Sequence, residues 1–152
     1  MGYARAVSEE RAGRREHGEI LLSTQEIADR VGSLGAEIAA DYAGTTPLFV
    51  GVLKGAFVFM ADLLRAVDLD AEVDFMALSS YGRSTETSGV VRILMDLNEP
   101  AAGRHVILVE DIVDTGLTLS YLEEHLATAG AESVEMCALL VREGRQHAGS
   151  HI

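Results

Sequence analysis

The 152-residue chain holds one cysteine, two prolines, no tryptophan and a single lysine. The lone Cys137 excludes a disulfide framework and any multi-cysteine zinc site, and it suits a reducing, cytoplasmic compartment. Bases are scarce: 12 Lys and Arg face 24 Asp and Glu, a formal charge of −12. That sign disfavours nucleic-acid binding, which depends on neutralising phosphates. Long apolar runs are also missing. Those present are broken by Lys54, Asp62 or Glu110, so no membrane span is expected. Residues 1–19 carry four Arg and four Glu and no apolar segment, which reads as a solvated, flexible arm rather than a signal peptide. What is there is a globular composition, 48% apolar and 24% charged. At this length one domain buries roughly two thirds of its unfolded surface and needs no covalent staple. A phosphorylated ligand, however, would need a local device against the acidic field: backbone amides, a metal ion or a few placed cations.

The folded part is expected from Ile20 onward. Ser23-Thr24-Gln25-Glu26 reads as a capping box, and Ile27, Val31, Leu34 and Ile38 recur at helical spacing, predicting a helix over 24–42. Residues 48–53 are continuously apolar, the pattern of a strand covered on both faces. Lys54-Gly55 interrupts, and a second helix is predicted over 56–66. A strand over 72–78 comes next, then a polar stretch over 79–89 long enough for a lid. Strands over 90–94 and 105–109, a helix over 118–129 with Leu119, Leu122 and Leu126 inward, and a strand over 134–141 complete the pattern. The last of these is expected to present an unpaired apolar edge. Apolar strands alternating with helices predict an α/β fold with a mainly parallel twisted sheet. Such folds bind ligands at the carboxyl ends of their strands.

One such end carries the strongest chemical signal. Val109-Glu110-Asp111-Ile112-Val113-Asp114-Thr115-Gly116-Leu117-Thr118 reads as a buried strand ending in two carboxylates, a third carboxylate, and a Gly/Thr turn into a helix. The turn suits a phosphate: glycine lets the backbone approach, threonines add hydroxyls, and a helix N-terminus offers unpaired amides. Alone, Thr-Gly-x-Thr is an ordinary capped loop, and Glu110-Asp111 an ordinary solvated strand end. Three carboxylates crowded beside a phosphate nest repel one another and the ligand. They make sense if they hold sugar hydroxyls and a divalent cation, with one acting as a base.

This stretch closely resembles the phosphoribosyl pyrophosphate (PRPP) motif of the type I phosphoribosyltransferases, and its surroundings resemble the hypoxanthine-guanine branch. The resemblance runs from about Ile20 to Leu140 and includes Val50-Gly51-Val52-Leu53-Lys54-Gly55-Ala56-Phe57, Val73-Asp74-Phe75-Met76 leading to Ser79-Ser80-Tyr81-Gly82, and Gly103-Arg104-His105-Val106. It implies the type I phosphoribosyltransferase fold and a purine-salvage reaction: hypoxanthine or guanine plus PRPP gives IMP or GMP plus pyrophosphate. By position, Glu110 and Asp111 match the acids that hold the ribose hydroxyls and help place Mg²⁺. Asp114 matches the acid that takes the purine N7 proton. Asp114, Thr115, Gly116, Leu117 and Thr118 match the 5′-phosphate loop. Lys54 and Gly55 match the pyrophosphate loop, where the family often has a cis peptide before the lysine. Ser80 and Tyr81 match the start of the lid. A homo-oligomer, dimer or tetramer, is implied as well.

The pattern departs from the family near the end. Where the family's strand ends in a lysine that reads the purine O6, this chain has Arg142, a larger, planar donor. Residues 142–152 read as an atypical tail, unlike the family's continuation, so the C-terminal hood that stacks on the purine is expected to be absent from a core over 20–141. Three readings follow from the sequence. The first is the salvage enzyme. The second is a truncated PRPP-binding protein with little or no transfer. The third is a regulatory protein on the same fold, for which no basic RNA surface is evident.

Overall fold

The computed structural model describes residues 20–80, 91–114 and 116–142. The N-terminal arm over 1–19, Tyr81 with most of the expected lid, Thr115, and the tail after Arg142 lie outside the described residues.

Helix α1 (Thr24–Asp41) starts at the predicted capping box. The Ser23 hydroxyl accepts from the Glu26 amide at 3.2 Å, and the Glu26 carboxylate accepts from the Ser23 amide at 2.7 Å. Val31, Leu34 and Ile38 are buried as the periodicity requires, whereas Ile27, one turn nearer the start, is exposed. Strand β1 (Leu48–Leu53) is buried along its length except at its end. Helix α2 (Phe57–Ala66) and strand β2 (Glu72–Ser80) follow, then β3 (Val91–Met95), β4 (His105–Val113), α3 (Leu117–Thr128) and β5 (Ser133–Val141).

The five strands form one sheet in the order β3-β2-β1-β4-β5, parallel throughout except for β3. The α/β fold is therefore as expected. Helices α1 and α2 cover one face through Val31, Leu34, Phe59, Met60 and Leu63 against Phe49, Ile107 and Val109. Helix α3 covers the other through Leu122 and Leu126 against Val50, Val106 and Leu108. Strand β5 is the sheet edge, bonded to β4 alone among the described residues.

Two expected boundaries are corrected. Strand β2 runs to Ser80 because β3 pairs with it, Ser79 opposite Arg92 and Ser80 opposite Val91. Backbone pairing thus carries the strand through two serines whose polarity suggested a loop. Strand β4 likewise runs four residues past Val109, with Glu110 opposite Ala138 and Val113 opposite Val141 of β5. Glu110 and Asp111 therefore sit within a strand, not beyond its end.

The strand order decides where a ligand can go. From β1 the chain crosses by α2 to β2 on one side; from β4 it crosses by α3 to β5 on the other. The carboxyl ends of β1 and β4 consequently border the switch-point crevice, the usual ligand position in open α/β sheets.

Candidate active site

Two segments nearly sixty residues apart meet at that crevice. Leu48 of β1 pairs with Val106 of β4, and the parallel register brings the turn after Leu53 beside Asp111. The Leu53–Lys54 peptide is cis, as the resemblance of this loop implies. Gly55 lies directly against Asp111: a Cβ on Gly55 would stand 2.7 Å from Oδ1 and 2.8 Å from Oδ2. No residue with a side chain fits there without moving the carboxylate, so the glycine belongs to the acid's setting as much as to the loop. Asp111 Oδ1 also accepts from the Ile112 amide at 2.9 Å. Lys54 is exposed at the rim.

Glu110 and Asp111 are both half-buried. Glu110 Oε2 is buried with no hydrogen-bond partner among the described residues. Burial, and after it the Asp111 charge, push the Glu110 carboxyl up to about 7. A buried acceptor without a donor, next to a second carboxylate, is costly unless a cation or hydroxyl joins it.

The helices that open at this end of the sheet leave their amides free of side-chain caps. Among the described residues neither α2, which begins after Lys54-Gly55, nor α3, which begins after Gly116, has a side-chain cap hydrogen bond or an acid in its first turn. Gly116 is buried with φ of 72°, a left-handed conformation that glycine adopts without strain. Of the three described helices, α1 alone closes its own start with side chains. Unpaired first-turn amides and the positive end of the helix dipole attract anions. Thr118 is half-buried in the first turn of α3, and Leu117 opens that helix.

Asp114 is placed differently from the pair at 110 and 111. Sequence spacing suggested three carboxylates crowded together; among the described residues no group of three or more metal-ligating side chains converges. Instead Asp114 Oδ1 accepts from Nη1 of Arg142 at 2.7 Å. Hydrogen bonding to Asp114 and its charge raise the Arg142 guanidinium further. The Arg142 amide also donates to the Val113 carbonyl at 3.0 Å. The resemblance casts the two as separate parts: a base and a purine-reading donor. Their partnership follows from the β4–β5 register, which no local motif records. Ser80 ends β2, its backbone paired with Val91.

The sequence profile of the phosphoribosyl transferase domain matches residues 17–150. The hypoxanthine-guanine phosphoribosyltransferase of Bacillus subtilis is 48% identical over 122 residues, covering 80% of this chain and 68% of that protein. The protein of the same name from Mycobacterium tuberculosis H37Rv is 44% identical over 139 residues, covering 88% of this chain and 69% of that protein. A crystal structure of a hypoxanthine-guanine phosphoribosyltransferase from Bacillus anthracis matches with a TM-score of 0.80 at 38% identity, over 88% of this chain and 79% of that one. With the Lys54-Gly55 turn, the paired acids and the uncapped α3 start all at one crevice, the chain belongs to the phosphoribosyltransferase family.

Proposed function

We infer that the chain is a hypoxanthine-guanine phosphoribosyltransferase of purine salvage, transferring 5-phosphoribosyl from PRPP to hypoxanthine or guanine to give IMP or GMP and pyrophosphate. The observation that carries this reading is the contact of Gly55 with the Asp111 carboxylate. It joins an anion-facing loop to a hydroxyl-binding acid, and PRPP needs both within one sugar's length.

The reaction breaks the C1′–O bond to pyrophosphate and forms a C1′–N bond to the purine, with positive charge developing on the ribose. The α3 amides from Gly116 onward, with Thr115 and Thr118, hold the 5′-phosphate. Glu110 and Asp111 hold the ribose hydroxyls. Lys54 and the amides beside it face the pyrophosphate. Asp114 takes the proton from purine N7. The lid that begins at Ser80 and Tyr81 keeps water from the reacting carbon, since water would hydrolyse PRPP. Positioning supplies much of the acceleration, because two substrates and a base are aligned before reaction.

Mg²⁺ fits the acids present. It takes oxygen ligands, usually one or two carboxylates with substrate oxygens and water rather than a full protein cage. Glu110, with an unpartnered buried oxygen, and Asp111 offer that much. When bound, the ion offsets charge on the leaving pyrophosphate. Assembly as a homo-oligomer belongs to the same reading and is supported by Phe57 and Val58, exposed apolar side chains at the start of α2. No helix among the described residues is long and apolar enough to cross a membrane.

The test is a spectrophotometric assay of the purified chain with PRPP, Mg²⁺ and either purine. IMP and GMP formation that stops in EDTA is expected. Tight PRPP binding without any nucleotide product would favour the PRPP-binding reading instead.

A further inference from the structure

Arg142 and Asp114 are both more than half exposed, at 65% and 55% of their side chains. Exposed ion pairs add about 0–1 kcal/mol to stability, so holding the fold together does not account for this one. Its geometry is nonetheless set by the sheet. Val113 pairs with Val141, and the Arg142 amide donates to the Val113 carbonyl. The two side chains therefore leave adjacent, tethered points at the end of β4 and β5. The guanidinium engages Oδ1 of Asp114 at 2.7 Å. That contact is charge-assisted and directional, and among the described residues no hydrogen bond engages Oδ2, which can accept a proton.

We propose that Arg142 is a positioning residue for Asp114: the guanidinium clamps one carboxylate oxygen so that the other is aimed at the purine proton. This rests on Asp114 being the base, and goes beyond it by making Arg142 act through the carboxylate rather than by purine contact alone. An exposed aspartate just after a strand samples several χ rotamers; an ion pair with a residue whose backbone is tethered to the same strand narrows them. Misplacing a reacting group by about 1 Å can cost about 10²-fold in rate.

The experiment compares Arg142→Gln, Arg142→Lys, Asp114→Asn and the Asp114→Asn/Arg142→Gln double variant in steady-state transfer to hypoxanthine. Expected is a fall in kcat of about tenfold to a hundredfold for Arg142→Gln, with KM for hypoxanthine changed little. Arg142→Lys, which keeps a cationic donor, recovers most of the loss. The double variant is no slower than Asp114→Asn, because both changes remove one unit. A raised KM at unchanged kcat, or losses that multiply in the double variant, overturns the proposal. If the parent chain transfers to no purine, the function reading fails instead. The pair is then read by nitrogen-15 NMR of the Arg142 guanidinium. Restricted rotation in the parent that is released in Asp114→Asn supports the clamp, and identical spectra refute it.

Discussion

Replacing Gly55 with alanine separates site geometry from stability. The added Cβ would lie 2.7 Å from Asp111 Oδ1, about 0.7 Å inside the 3.4 Å at which ordinary contact begins. The clash is with the end of one side chain, so the fold can relieve it by moving that carboxylate. Gly55 is exposed and its φ is not in the left-handed region, so alanine is conformationally acceptable. Such a change stabilises by about 0.4–1 kcal/mol through the unfolded chain, which offsets the small cost of displacing Asp111. Unfolding should shift by less than about 1 kcal/mol in either direction. Transfer should not escape. Asp111 must give up its position against the loop, and a displacement approaching 1 Å predicts a loss in kcat/KM of about ten- to a hundredfold. Urea denaturation and the IMP assay on the same preparation read the two effects. A variant with parental kcat/KM and parental stability would show that the Gly55–Asp111 contact does not set the active geometry.

Three further outcomes are expected. Asp114→Asn should lower transfer by about 10²–10⁴-fold while PRPP affinity stays within a few-fold in calorimetry; near-parental turnover would remove Asp114 as the base. PRPP binding should require Mg²⁺ and weaken in Glu110→Gln and Asp111→Asn, and unchanged affinity in EDTA would contradict the assigned role of the two acids. Tyr42 is buried, its hydroxyl has no hydrogen-bond partner among the described residues, and burial followed by the Glu135 charge pushes it up to about 12. Because the unfolded tyrosine ionises first, near 10, stability is full below that pH and falls as pH rises towards 12. Tyr42→Phe should be neutral or slightly stabilising at pH 8 and should lose less stability than the parent between pH 10 and 12; equal losses would show that Tyr42 does not carry the effect.

Much of this protein was determined locally. The apolar run over Leu48–Leu53 has the pattern of a strand covered on both faces, and Ser23 with Glu26 reads as a helix start. The Gly116 turn into Leu119, Leu122 and Leu126 announced a helix whose start suits an anion, because periodicity and capping are short-range physics. The resemblance carried by residues 109–118 and 50–57 pointed to the chemistry as well. What the linear sequence did not hold was relative placement. That β1 and β4 are neighbours, and so that Gly55 touches Asp111, depends on strand order across the whole sheet. The extension of β2 through Ser79 and Ser80 and of β4 through Val113 came from partner strands, whose backbone bonds override side-chain polarity. The pairing of Asp114 with Arg142 is the sharpest case. Each residue was visible, yet their 2.7 Å contact comes from the β4–β5 register, a long-range property that no spacing of 28 residues encodes.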